Sequence, residues 1–81
     1  MDVLYFAWVR ERIGISREQV ETSAETVADL VAELRSREKR YELAFCDIKA
    51  LRVAVDQKLV DFDAPLDGVS EVAFFPPMTG G

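Results

Sequence analysis

Three features of the sequence predict an α+β domain in which one amphipathic helix lies across one face of a β-sheet. Val27, Leu30, Val31 and Leu34 recur at i, i+3, i+4 and i+7, an apolar stripe at helical spacing. Leu51 to Val55 alternates, with Arg52, Ala54 and Asp56 on one face and Leu51, Val53 and Val55 on the other. Val3 to Val9 and Val69 to Phe75 are rich in β-branched and aromatic residues and read as strands.

Taken in order, the Val3–Val9 strand has its even positions bracketed by Asp2 and Arg10. That assigns Leu4, Phe6 and Trp8 to the outer face and Val3, Tyr5, Ala7 and Val9 to the core. Gly14 marks a turn, and a short edge strand over Glu18 to Thr22 pairs back with Val20 inward. Thr26 is an N-cap candidate with Asp29 three residues later, while Glu25, Asp29 and Glu33 face water or the positive helix start. Arg35, Arg37, Lys39 and Arg40 fall at or beyond the helix end, where positive charge opposes the dipole. Ser36 to Lys49 mixes charge with Tyr41, Leu43, Phe45 and Ile48 and reads as a loop or a short helical turn.

After the Leu51–Val55 strand, Asp56-Gln57-Lys58 makes a hairpin turn into Leu59-Val60. Asp63-Ala64-Pro65 and Asp67-Gly68 supply loop chemistry before the last strand. There Glu71, Ala73 and Phe75 share a face, and Val72 and Phe74 the other; charge at Glu71 sets Phe75 outward. Phe6, Trp8, Phe75 and Leu59 therefore form an apolar patch of the kind that a partner covers.

Eighty-one residues make one small domain, and 49% apolar with 31% charged residues is the profile of a folded chain. The Val3–Val9 run is far shorter than a bilayer span and no basic segment precedes it, so a cytoplasmic protein with no membrane partner is expected. The net charge of −5 repels a phosphate backbone, which argues against nucleic acid and for a basic protein surface. A single cysteine, Cys46, fits a reducing compartment and, among apolar neighbours, reads as packed. With no histidine there is neither a His-based nucleophile nor a His metal site, and Asp61 and Asp63 beside Phe62 read as a solvated loop.

What is left is the end of the sequence, Phe74-Phe75-Pro76-Pro77-Met78-Thr79-Gly80-Gly81. Two prolines stop a strand and favour an extended path, and two glycines leave the backbone loose and unobstructed. Residues 1–75 are thus expected to form the domain and 76–81 a flexible tail, whose six residues reach roughly 20 Å when extended. Such a tail presents a carboxylate that an activating enzyme can draw deep into its site.

The residues resemble the small subunits of molybdopterin synthase, a family of ubiquitin-like sulfur carriers. The likeness runs through Val3-Leu4-Tyr5-Phe6-Ala7, Val9-Arg10-Glu11 with Gly14, Thr26-Val27-Ala28-Asp29-Leu30, Val53-Ala54-Val55-Asp56-Gln57, Pro65-Leu66, and Glu71 to Pro77 with Thr79-Gly80-Gly81. The resemblance implies a β-grasp fold, with a mixed sheet and one main helix on one face. It implies that Gly81 is adenylated by an activating enzyme using ATP, becomes a thiocarboxylate, and delivers sulfur inside the large subunit to precursor Z for the dithiolene. Gly80 gives access, and Phe6, Leu59 and Phe75 dock, joined by Trp8, Pro76, Pro77, Met78 and Thr79 as partner-binding residues. The carrier binds no cofactor or metal, is not catalytic alone, and works in a heterotetramer. Two departures touch only turns: Asp67-Gly68 comes one place earlier than in relatives, and position 56 is Asp where Asn is frequent. A carrier for thiamine or another thiolated product, and a ubiquitin-like modifier or interaction module, are the alternatives.

Overall fold

In the computed structural model of the chain, residues 1–77 are described. Strand β1 (Asp2–Tyr5) leads directly into helix α1 (Ala7–Ile13), and β2 (Arg17–Gln19) returns beside β1. Helices α2 (Val27–Arg37) and α3 (Lys39–Ala44) and a 3-10 turn at Ile48–Ala50 precede β3 (Arg52–Val55), β4 (Lys58–Val60) and β5 (Glu71–Phe75). The five strands form one sheet in the order β2-β1-β5-β3-β4. β1 and β5 are parallel and every other neighbouring pair is antiparallel, so the sheet is mixed. With helices on one face, this is the β-grasp arrangement.

Helix α2 begins where its cap chemistry places it. Thr26 Oγ1 accepts from the Asp29 N–H at 3.2 Å. Two further first-turn donors reach the loop ahead of β5: Val27 N–H to the Ala64 carbonyl at 3.1 Å and Ala28 N–H to Phe62 at 2.7 Å. The stripe of Val27, Leu30, Val31 and Leu34 is fully buried against the inner face of the sheet, where Val3, Tyr5, Val53, Val72 and Phe74 meet it. Phe74 lies at the centre of an aromatic cluster. Its ring is 5.0 Å from Phe45, edge to face, and 6.3 Å from Tyr5, stacked.

The expected strand over Val3–Val9 is too long by half. Pairing stops after Tyr5, apart from the Phe6 N–H, which donates to the Phe74 carbonyl at 3.1 Å. Ala7 then takes φ 52°, a left-handed step costing a non-glycine residue about 1–2 kcal/mol, and turns the chain into α1. Val9 and Ile13, one helical turn apart, are buried, while Ala7, assigned to the core, is exposed. Gly14 ends α1 at φ 96° with its N–H on the Arg10 carbonyl at 2.7 Å.

Ser36–Lys49 is also more ordered than expected. α3 buries Tyr41 and Ala44, with Phe45 buried just beyond. Lys39 and Arg40 open α3 and do not trail α2, and Arg40 Nη1 donates to the Ile13 carbonyl at 2.9 Å, so the cation serves the end of α1. Cys46, expected to be packed, is exposed: the chain buries its neighbour Phe45 and turns the next side chain out.

Candidate functional site

The register of the sheet assembles the outer face. Leu4 lies opposite Ala73, Ala73 opposite Ala54, and Ala54 opposite Leu59, so one row crosses four strands with apolar side chains only. Ala54 and Ala73 are small and sink the middle of this row. The result is a groove of about 510 Å³, floored by the two alanines and walled by Leu4, Phe6 and Phe75. Pro76, the residue directly after β5, joins the lining at the end where the strand stops. Ala7, Gln57 and Glu71 complete the lining.

The opposite end of the face is charged. Asp2 pairs with Glu71 in the β1–β5 register, and Arg17 forms an ion pair with Asp2 at 3.0 Å. A hairpin fixes the third side. Asp56 and Gln57 have φ 48° and 70°, the left-handed pair of a type I′ turn. The Asp56 carboxylate accepts from the N–H groups of Ser70 at 3.1 Å and Glu71 at 3.0 Å, tying the turn to the start of β5.

Each predicted partner-binding residue can now be located. Phe6 is 44% exposed on the groove wall, and Leu59 is 68% exposed on edge strand β4, beside Ala54. Phe75 and Pro76 are half-buried in the lining, and Pro77 is half-buried after them. Trp8 is elsewhere: on α1, not on the sheet face, half-buried against the core with the Arg12 guanidinium 4.5 Å over its ring. Its displacement follows from the early end of β1. Met78, Thr79, Gly80 and Gly81 lie outside the described residues. Sequence parity had put Leu4, Ala54 and Ala73 on the outer face without giving them a part in the site; small residues at facing positions were the available signal. Nothing in the sequence marked Ala7.

Among the described residues that line the groove, Glu71 is the one ionisable side chain. The shifted phenols lie on the inner face, where Tyr5 and Tyr41 both donate to Glu18 Oε2 at 2.7 Å. Burial first, then the bond to Glu18, pushes Tyr41 up to about 12 and Tyr5 higher still. Among the described residues no cluster of three or more His, Cys, Asp or Glu side chains forms a metal-binding set. What the surface offers is shape and apolar area next to a strand end: it can be covered.

Residues 3–81 match the ThiS family. A protein from Escherichia coli (strain K12) described as the molybdopterin synthase sulfur carrier subunit is 47% identical over 79 residues, 98% of this chain and 96% of its own. A Haemophilus influenzae protein of the same description is 36% identical over 81 residues, 100% of this chain and 99% of its own. Among solved structures, SAMP1 from Haloferax volcanii superposes with a TM-score of 0.77 at 22% identity, covering 100% of this chain and 98% of that one, a likeness of fold.

Proposed function

The chain belongs to the ThiS family, and on that premise we propose that it is the sulfur carrier subunit of molybdopterin synthesis, docking on the large synthase subunit through the outer face of its sheet. The observation that carries this reading is the 47% identity, spanning 98% of this chain, to a relative described as a molybdopterin synthase sulfur carrier subunit. The groove supports it physically. Apolar area left open beside the strand that feeds the tail lets a partner grip the domain and receive the last residues in one act.

The reacting group in this proposal is the carboxylate of Gly81. In an activating enzyme it attacks the α-phosphate of ATP, pyrophosphate leaves, and an acyl adenylate forms. Sulfide-level sulfur then adds to the acyl carbon and expels AMP, leaving a thiocarboxylate with no change of oxidation state. Soft, polarizable sulfur makes it a stronger nucleophile than the carboxylate, and burial in the large subunit limits its hydrolysis. There the sulfur adds to an electrophilic carbonyl carbon of precursor Z, whose oxygen takes up a proton, and the carrier is left joined to the substrate as a thioester. Water then cleaves the acyl carbon–sulfur bond, leaving the sulfur on the substrate and a carboxylate on Gly81. Gly80 admits the backbone to a narrow channel, and Pro76 and Pro77 set the direction of approach. The activating enzyme, the use of ATP, the heterotetramer and a cytoplasmic setting all belong to the proposal. For its part, no helix among the described residues is long and apolar enough to cross a membrane.

Deleting Gly81 tests the reading. The truncated protein should fold and bind the large subunit, yet fail to convert precursor Z. Conversion at the wild-type rate would refute it.

A further inference from the structure

Gln57 occupies a backbone position that a glycine would fill with less strain. At φ 70° it is the second central residue of a two-residue left-handed hairpin turn, where glycine is the favoured type because a Cβ crowds the backbone. The turn does not need this side chain. Its side-chain anchoring comes from the neighbouring Asp56 carboxylate, which holds the N–H groups of Ser70 and Glu71. Gln57 itself is exposed, and among the described residues the side-chain hydrogen bonds that tie the turn to β5 are made by Asp56, not by its carboxamide. Strain kept for a side chain that the turn does not use points to work done outside the turn.

The groove supplies that work. A polypeptide laid against it brings main-chain N–H and C=O groups, which are costly to bury unpaired. Among the described residues that line the groove, only Gln57 and Glu71 have polar side chains. An ionised glutamate can only accept, whereas a carboxamide both donates and accepts. We infer that Gln57 is a specificity-determining residue of the docking groove, pairing its carboxamide with a main-chain group of the large subunit. This rests on the docking reading above. It adds a directional contact to a surface that apolar area alone would leave free to slide, and so fixes where the partner sits relative to the tail.

Two variants separate the backbone from the amide. Gln57→Ala removes the amide and keeps the strained turn; Gln57→Gly removes the amide and relieves the strain. Melting temperature and, by calorimetry at fixed salt, the Kd for purified large subunit are measured for both. Gln57→Gly should melt about 3 °C above Gln57→Ala, the small surplus of relieved strain over the added chain entropy of glycine. Both should bind about fivefold more weakly than wild type, the effect of one neutral hydrogen bond. Wild-type affinity in both variants would overturn the inference while leaving the docking reading intact. A Gln57→Gly protein melting below Gln57→Ala would remove its premise of strain. Failure of the wild-type protein itself to bind would sink the docking reading and this inference with it.

Discussion

Leu59→Ala gives the sharpest test of the sheet face as a docking surface. Full burial of a leucine side chain is worth about 2 kcal/mol, and 68% of Leu59 remains exposed, so a partner that covers it gains about 1.4 kcal/mol. That corresponds to roughly a tenfold rise in Kd for the large subunit on truncation, as a ceiling, because ordering costs at the interface subtract from it. The third already buried within the fold is worth only about 0.6 kcal/mol, a fall in melting temperature of roughly 2–5 °C. The main-chain pairing of β3 with β4 stays. Titration calorimetry on the purified pair gives the Kd, and thermal melting followed by circular dichroism gives the stability. Leu43→Ala is the control: Leu43 is 54% exposed, but on α3 in the helical layer, and its loss should leave the Kd unchanged. Equal affinity for wild type and Leu59→Ala, or an equal loss for both variants, would refute the argument.

Two further outcomes concern stability. Thr26→Ala removes the acceptor for the Asp29 N–H and should cost about 1 kcal/mol, a melting temperature roughly 4–8 °C lower; an unchanged melt would show that the cap contributes nothing. The Tyr5–Glu18–Tyr41 cluster should make the protein sensitive to strong alkali. A phenol raised by folding keeps its full stabilising effect below the unfolded value near 10, and that effect is lost as pH rises through the folded value, about 12 for Tyr41. Urea midpoints should therefore hold steady up to roughly pH 10 and fall above it, and Tyr41→Phe should show a shallower fall. Identical alkaline profiles for the variant and wild type would contradict the assignment.

Elements whose side-chain pattern repeats were readable from the chain alone. The α2 stripe, the alternation of β3 and the two faces of β5 each express burial on one side only, and burial is what periodicity reports. The segment after β1 was misread because a strand runs into a helix with no capping side chain between them: Phe6 occupies the cap position without a side-chain hydrogen bond. Its aromatic and β-branched residues look like more strand, and only Gly14 and the Val9–Ile13 spacing betray α1. Likewise α3 follows Glu38, which makes no side-chain cap bond, and its buried face is just Tyr41 and Ala44. Parity sufficed to turn Phe6, Leu59 and Phe75 outward, yet Trp8 was lost with the strand that was to carry it. The groove floor was beyond reach for another reason. Ala73 meets Leu4 through the parallel pairing of β1 with β5, which joins opposite ends of the chain, and Ala54 faces Ala73 from the other side through the pairing of β3 with β5. A contact of that range leaves no local trace in the sequence.

The claim on which the account turns is that Gly81 carries sulfur. Intact-mass spectrometry of the protein, isolated from cells that contain the activating enzyme proposed for it, examines this directly. The account predicts a species heavier by the exchange of one oxygen for one sulfur, located to Gly81 by fragmentation and absent when the activating enzyme is deleted. Only unmodified carboxylate in both strains, or a ladder of isopeptide conjugates in place of the thiocarboxylate, would contradict it.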